Sequence, residues 1–180
     1  MARSRKTVQM AEIALMSAVL CVISPFTIPV PASPVPLSLA LFAVYLAAVL
    51  LGVKKGALSV LVYLLLGMVG LPVFSGFSGG IGVLLGPTGG YIIGYVLCAL
   101  VIGLLAERGV HTIFATTAGT LVCYCFGTTW FLIIMKGTYT LLQALLICVV
   151  PYLILDMIKI AAAAAVVLPM KKMLRRIEMR

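Results

Sequence analysis

Long apolar runs separated by short polar or glycine-rich breaks make up most of this 180-residue sequence. A helix that crosses a membrane needs roughly 20 mostly apolar residues. Six runs come close to that length, and the pattern therefore predicts an all-α integral membrane protein with six transmembrane helices. The predicted transmembrane helices cover residues 10–28, 37–53, 57–72, 88–106, 112–135 and 152–170.

The last apolar run, residues 140–170, is too long for a single crossing. As one helix it would extend about 46 Å, whereas the hydrocarbon core of a bilayer is only about 30 Å thick. Pro151 lies inside the run, and proline removes a helical hydrogen bond. We therefore expect a short interfacial helix at residues 140–150 and a sixth span that starts just after Pro151.

The composition excludes a soluble protein. Apolar residue types account for 64% of the chain and charged types for 9%, whereas a soluble domain has about 25% charged residues. So few charges could not cover a protein surface in water, and lipid must be the solvent for much of it. The length predicts a single membrane domain, residues 1–180.

The net charge is +9, and the basic residues are concentrated at the ends of the predicted spans. Apart from Lys136 and Lys159, every basic residue lies near a terminus or in one of two short breaks between spans. Such a bias is typical of cytoplasmic segments, so we expect a multi-pass protein of the cell membrane with both termini in the cytoplasm. Nucleic acid is not an expected partner. The alternative, a cleaved signal peptide in the first run, is disfavoured by Glu12 and by the prolines that follow.

Two ionisable residues, Asp156 and Lys159, lie within the sixth predicted span. Each costs about 2.5–3.5 kcal/mol near the centre of a membrane helix, and such residues usually mark a path for substrate or ions. Three residues apart, they share one helix face, on the outer half of the membrane. The alternative is an internal ion pair that only fixes helix packing.

A glycine-rich segment at residues 75–90 is the second unusual feature. Non-helical backbone near a membrane is tolerated where protein or a water-filled cavity covers it. The segment, the proline-rich loop at residues 29–36 and the start of the sixth span all face outward, and we expect a pocket for a small polar ligand among them. Alternatively, the glycines serve only tight turns. Their spacing fits neither a dinucleotide fingerprint nor a P-loop, so any ATPase must be another chain.

The sequence offers no catalytic constellation. No serine or cysteine has a base and an orienting group beside it, and no cluster of histidine, cysteine and carboxylate has metal-ligand spacing. The five cysteines all lie in apolar runs, as small packing residues do. We therefore expect no catalytic residue, no metal and no cofactor.

Several short motifs together resemble the BioY family, the biotin-binding S components of energy-coupling factor (ECF) transporters. The resemblance covers nearly the whole chain, from about Ala11 to Pro169. The motifs are Pro34-Val-Pro-Leu-Ser-Leu39, Gly70-Leu-Pro-Val-Phe74, Gly79-Gly80, Leu85-Gly-Pro-Thr-Gly-Gly-Tyr91, and Pro151-Tyr152 followed by Asp156-x-x-Lys159.

The resemblance implies an ECF S-component-like bundle of six helices that captures biotin at the outer face. It implies Asp156 and Lys159 as ligand contacts. It also implies a transmembrane coupling protein, two cytoplasmic ABC ATPases and a bacterial source. Ala14 and Ala18 match the family's Ala-x-x-x-Ala signature, which packs on the coupling protein.

Biotin matches the expected pocket chemically, since its ureido group presents two N–H donors and one acceptor. We expect Asp156 and Lys159 to bind that group, aromatic residues to pack the bicyclic ring, and the proline-rich loop with Pro34, Val35 and Pro36 to act as a lid. The remaining predicted ligand contacts are Tyr91, Gly76, Phe77, Ser78, Gly79, Gly80, Thr88, Gly89, Gly90 and Phe74. The open alternatives are an S component for another vitamin and a ligand-free membrane scaffold.

Overall fold

A computed structural model of the chain, which describes residues 2–28 and 36–178, is built almost entirely of helix. Five of its helices are long and apolar enough to cross a membrane. The helices are α1 (Ala2–Ile23), α2 (Ala40–Met68), α3 (Ile81–Leu84), α4 (Gly89–Glu107), α5 (Thr112–Ile134), α6 (Leu141–Cys148) and α7 (Val150–Glu178). A short 3-10 helix, Ser75–Phe77, and two paired two-residue strands, β1 (Thr27–Ile28) and β2 (Leu37–Ser38), complete the elements of the described ranges.

Helix α2 is a hairpin that folds back on itself at Gly52. Eight residues of straight helix extend about 12 Å, yet a Cβ atom built on Gly56 would lie 2.8 Å from the Cα atom of Ala48. The first arm, residues 40–51, and the second arm, residues 53–68, are therefore packed side by side. Together with α1, α4, α5 and α7, the two arms give six passes through the bundle in the described ranges.

The hairpin turn depends on a residue that can adopt a left-handed backbone. Gly52 has φ 77° and ψ −172°, a conformation that only glycine adopts without strain. The second arm then starts with unpaired backbone N–H groups, and the Glu107 carboxylate at the end of α4 accepts from Val53 N at 2.9 Å. Gly103, one turn earlier in α4, leaves room for this turn to approach.

The centre of the bundle consists of α2, α4 and α5, which pack closely through small residues. Glycines such as Gly94 and Gly119 face the neighbouring helix without a side chain, and small residues let membrane helices approach closely. A buried hydroxyl pair, Tyr45 and Thr120, joins the first arm of α2 to α5 at 2.5 Å. Many large apolar side chains of these helices, such as Leu65 and Leu121, are exposed on the surface of the bundle.

Helix α1 lies at the edge of the bundle against the second arm of α2. The Ser17 hydroxyl donates to the backbone oxygen of Ser59 at 3.0 Å, and Lys55 forms an ion pair with Glu12 at 2.6 Å. Leu20 is fully buried at this contact, whereas Leu15 on the other face is 67% exposed.

The predicted class, an all-α membrane bundle, is confirmed, although several element bounds differ from the expectation. Helix α1 begins eight residues earlier, at Ala2, because a polar helical turn can extend into water. Lys54 and Lys55 belong to the first turn of the second arm rather than to a loop. The glycine-rich segment contains the 3-10 helix and α3, and α7 begins at Val150 with Pro151 in its first turn, where proline costs no hydrogen bond.

Candidate functional site

A cavity opens where the first arm of α2, α4, α5, α6 and α7 meet beside strand β2. Its volume is about 50 Å³. Among the described residues that line it, Asp156 and Lys159 carry the charge, and four tyrosines supply most of the wall. The lining residues are Pro36, Ser38, Leu41, Tyr91, Tyr95, Cys123, Tyr124, Cys148, Tyr152, Asp156 and Lys159.

Asp156 and Lys159 form a buried ion pair on the first turns of α7. The Lys159 Nζ atom lies 2.8 Å from Asp156 Oδ1, and the residues are only 8% and 4% exposed, respectively. A buried charge is strongly unfavourable unless it is paired and hydrogen-bonded. The two residues therefore form an internal ion pair, as the packing alternative expects, and both also line the cavity.

Tyr124 on α5 completes the coordination of the carboxylate. Its hydroxyl donates to Asp156 Oδ2, so each carboxylate oxygen accepts one hydrogen bond from the protein. An ionised carboxylate has about four acceptor positions, and both oxygens therefore retain capacity for a ligand. Tyr124 was not among the predicted site residues.

Lys159 also connects α7 to strand β2. Its ammonium group donates to the backbone oxygen of Ser38 at 2.8 Å. The Ser38 hydroxyl in turn donates to the backbone oxygen of Ser24 at 3.0 Å and accepts from Ala40 N at 2.9 Å. An ammonium group has three donors, and two of them are now assigned, so the third can serve a ligand.

The opposite wall of the cavity is aromatic and apolar. The Tyr91 and Thr128 hydroxyls are hydrogen-bonded at 3.0 Å, and Gly127 has no side chain where the Tyr91 ring lies. Cys123 Sγ donates to the backbone oxygen of Tyr91 at 3.6 Å. Small-molecule sites typically combine apolar walls with a few convergent polar groups. This cavity has the same combination of an aromatic wall and a charged pair.

Four of the predicted site residues meet at the cavity: Pro36, Tyr91, Asp156 and Lys159. Pro34 and Val35 lie outside the described residues. The glycine-rich segment contacts the chain just after α1, because Gly76 N donates to the backbone oxygen of Pro25 at 3.0 Å. The other predicted ligand contacts do not line the cavity.

The aromatic residues of the glycine-rich segment lie elsewhere. Phe74 is fully buried and packs edge-on against Tyr63, with ring centroids 5.6 Å apart. Phe77 is 61% exposed and packs edge-on against Phe26. In this arrangement, neither ring is available to a ligand in the cavity.

The small and polar residues of the segment are engaged in packing and turns. Gly90 lies directly against the Trp130 side chain, and Gly89 against the backbone of Leu84. Gly80 N donates to the backbone oxygen of Gly67, and the Ser78 hydroxyl to that of Ser75. Gly79 lies against the backbone of Leu71, and Thr88 immediately precedes α4. The segment therefore packs against the end of α2 and supports the contact between α4 and α5.

Sequence reasoning did not identify most of the wall. Ser38 lies in the Pro34–Leu39 motif, and Tyr152 directly follows Pro151, so both could have been found from the motifs. Tyr95, Tyr124 and Cys123 lie inside spans that are apolar on all sides, where no periodic pattern indicates an inward face. Leu41 and Cys148 lie in apolar runs, where nothing in the sequence distinguishes them from packing residues.

The predicted interface residues Ala14 and Ala18 are exposed on α1. Ser17 and Leu20 on the same helix are buried, and Ser17 contacts α2. This places a strip of small side chains on the outer surface of the bundle.

Comparison with known proteins identifies close relatives. The model of the BioY family matches residues 1–176. The biotin transporter BioY of Thermotoga maritima is 41% identical over 149 residues, covering 81% of this chain and 86% of the relative. The probable biotin transporter BioY of Pyrococcus horikoshii is also 41% identical, over 139 residues, covering 77% and 82%.

A solved structure shares the fold. The crystal structure of the S component for biotin from an ECF-type ABC transporter matches with a TM-score of 0.86 and 27% sequence identity. The match covers 96% of this chain and 95% of the other. On the family match, the relatives and the shared fold, the chain belongs to the BioY family.

Proposed function

We propose that this chain is the high-affinity biotin-binding subunit, the S component, of an ECF-type ABC importer. The observation that carries the proposal is the buried Asp156–Lys159 pair, which has unused hydrogen-bonding capacity at the polar end of an aromatic cavity. The names of the relatives and the ligand of the matching S component support biotin as the ligand.

The polar end of the cavity complements the ureido group of biotin. Asp156 accepts hydrogen bonds from the ureido N–H groups, and the remaining donor of Lys159 binds the ureido oxygen. Charge-assisted hydrogen bonds of this type are the stronger ones. Tyr91, Tyr95 and Tyr152 pack against the bicyclic ring, where tyrosine combines an apolar ring with a polar group.

Binding requires the cavity wall to move. Pockets for ligands of drug-like size have volumes of about 300–1,000 Å³, whereas this cavity has about 50 Å³. Pro36 is only half-buried and marks the edge at which the proline-rich loop joins the wall. We assign the lid to this loop, which opens for the ligand and closes over it.

The predicted glycine-rich contacts take a supporting role in this proposal. Gly90 allows Trp130 to pack against α4, and Trp130 Nε1 donates to the backbone oxygen of Gly86 at 3.1 Å. These contacts hold α4 and α5 together behind Tyr91. They determine the shape of the aromatic wall and leave binding of the ureido group to α7.

The subunit itself performs no catalysis. We assign ATP hydrolysis to two cytoplasmic ABC ATPases and transmission of the motion to a transmembrane coupling protein. The exposed Ala14 and Ala18 on α1 form the contact with the coupling protein, because small residues let membrane helices approach closely. The basic residues near both termini support an orientation with the two ends in the cytoplasm of a bacterial cell and with biotin entering from outside.

Titration calorimetry on the purified chain in detergent tests this function. Biotin, riboflavin and thiamine are titrated separately into the wild-type protein. We expect saturable binding for biotin alone. Binding of one of the other vitamins in place of biotin would identify an S component for a different ligand. Binding of none would leave the ion pair with a packing role, as in a ligand-free scaffold, and would overturn the proposal.

A further inference from the structure

The Tyr124 side chain separates two different environments. On one side its ring lines the cavity with Asp156. On the other side it lines an apolar groove between α5 and α6, with Leu141, Leu145 and Val149. The ring thus forms a partition between the cavity and the groove, and it is only 8% exposed. Its hydroxyl is anchored by the hydrogen bond that it donates to Asp156 Oδ2.

That hydroxyl controls how the Asp156 carboxylate can rotate. Lys159 donates to Oδ1 and Tyr124 donates to Oδ2, so the plane of the carboxylate is fixed by two donors on different helices. Without the hydroxyl, the carboxylate is free to turn and present both oxygens to the Lys159 ammonium group. The lone pairs directed into the cavity would then be used within the protein.

We propose that Tyr124 is a positioning residue that determines specificity, because it holds Asp156 as an acceptor for ligands with paired N–H donors. This inference rests on the proposed biotin-binding function and extends it to a residue that does not itself have to contact the ligand. A site that holds a fixed acceptor discriminates strongly against an analogue without the matching donor, because the buried acceptor is then left unpaired.

A purely structural role makes a different prediction. If the Tyr124–Asp156 hydrogen bond only joined α5 to α7, its loss would weaken all ligands by the same factor. The ratio of the dissociation constants for two ligands separates the cases, because uniform weakening leaves a ratio unchanged.

The test uses three ligands and the variant Tyr124→Phe in the full chain. The first ligand is biotin. The second is a class of two analogues, in each of which one of the ureido N–H groups is replaced by CH₂. The third is the analogue in which sulfur replaces the ureido oxygen. The sulfur analogue keeps both N–H donors and serves as the ligand control. Dissociation constants are measured by titration calorimetry, and folding is checked by thermal melting in detergent.

We expect Tyr124→Phe to weaken biotin at least tenfold and to reduce the preference for biotin over the CH₂ analogues at least tenfold. The preference between biotin and the sulfur analogue should stay within about twofold of wild type, because Asp156 does not meet that atom. Tyr45→Phe is the matched control, since it also removes a buried tyrosine hydroxyl bonded to α5, at Thr120, but outside the cavity. It should leave both preferences unchanged.

A wild-type preference for biotin over the CH₂ analogues in Tyr124→Phe would overturn the inference, even if all affinities fell. Replacement of Tyr124 by 4-aminophenylalanine, which keeps a donor at the same ring position, provides a second variant should the phenylalanine variant not fold. It should restore the preference to within about threefold of wild type, and a loss there would also overturn the inference. Failure of wild type to bind biotin would instead overturn the proposed function itself.

Discussion

Lys159 on α7 donates a hydrogen bond to the backbone oxygen of Ser38, at 2.8 Å and across 121 positions of sequence. The bond joins the last spanning helix to the strand that leads into α2. Because the same ammonium group is paired with Asp156, the cavity and the start of α2 share one side chain. A ligand that recruits Lys159 therefore acts on a group that also holds strand β2, next to the loop proposed as the lid.

Replacing Lys159 by methionine should strongly destabilise the protein. The change keeps the apolar stem but leaves the Asp156 carboxylate buried without its cation, which costs about 3–5 kcal/mol when one partner of a buried pair is removed. Thermal melting in detergent measures the loss. Lys55→Met is the matched control, because its pair with Glu12 is about one third exposed, and such pairs contribute only about 0–1 kcal/mol. Equal melting temperatures for the two variants would contradict the account of the buried pair.

Adding Asp156→Asn to Lys159→Met should recover part of the lost stability. The double variant removes the unpaired buried charge, while the amide can still accept from Tyr124. A double variant that melts below the Lys159→Met variant would show that the cost lies elsewhere.

Gly52→Ala should destabilise the α2 hairpin. Gly52 has φ 77°, and an added Cβ would contact the Glu107 carboxylate that caps the second arm. Backbone strain of this kind costs about 1–3 kcal/mol, and displacement of the cap adds to it. Gly137→Ala is the matched control, because Gly137 has φ 78° with nothing within 4 Å of an added Cβ. We expect a larger drop in melting temperature for Gly52→Ala than for Gly137→Ala. An equal drop would show that the Glu107 cap does not contribute to stability.

Gly90→Ala should loosen the contact between α4 and α5. An added Cβ would overlap the Trp130 side chain, and overpacking of this type costs about 1–3 kcal/mol. Gly82→Ala, within α3, is the control, because a Cβ added there meets nothing within 4 Å. It should leave the melting temperature unchanged. Melting temperatures and Trp130 fluorescence measure the two effects. An unchanged Trp130 spectrum in Gly90→Ala would contradict the close packing.

Ala14→Leu combined with Ala18→Leu should block transport without affecting ligand binding. Both side chains are exposed on α1 and neither lines the cavity, so larger residues there would obstruct a partner helix and leave the cavity unchanged. Uptake of labelled biotin by cells that also produce the coupling protein and ATPases is compared with biotin binding by the purified variant. Ala162→Leu on the exposed side of α7 is the control and should retain uptake. Normal uptake by the double variant would remove this surface from the interface.

The sequence predicts the fold class well because the membrane imposes strong constraints. Spans must be long and apolar, and the proline and glycine breaks therefore indicate the six passes. The α2 hairpin shows the limit of this reasoning. Gly52 and the Lys54-Lys55 pair together predict the end of the second span, and the bend is at Gly52, but the lysines are helical. The Glu107 carboxylate that caps the second arm is 54 positions away from Val53 in sequence, and no local pattern indicates it.

The candidate site was predicted less completely for a related reason. Asp156 and Lys159 are detectable because charges in a span are rare and costly. Tyr124 is not, because a helix that is apolar on all sides gives no indication of which face is inward. Phe74 shows the opposite case, in which a motif residue expected near the ligand is fully buried against Tyr63. Motif membership indicates that a residue matters to the fold or the site, without separating the two.

Biotin titration of Asp156→Asn tests the central claim most directly. The asparagine keeps the size of the side chain but removes the charge and places an amide where two N–H donors of the ligand would meet an acceptor. We expect affinity for biotin to fall by about 100-fold, as for the loss of charge-assisted hydrogen bonds. Glu12→Gln, which removes the acid of the ion pair on α1 far along the chain, should bind as wild type does. Wild-type affinity in Asp156→Asn would contradict the account.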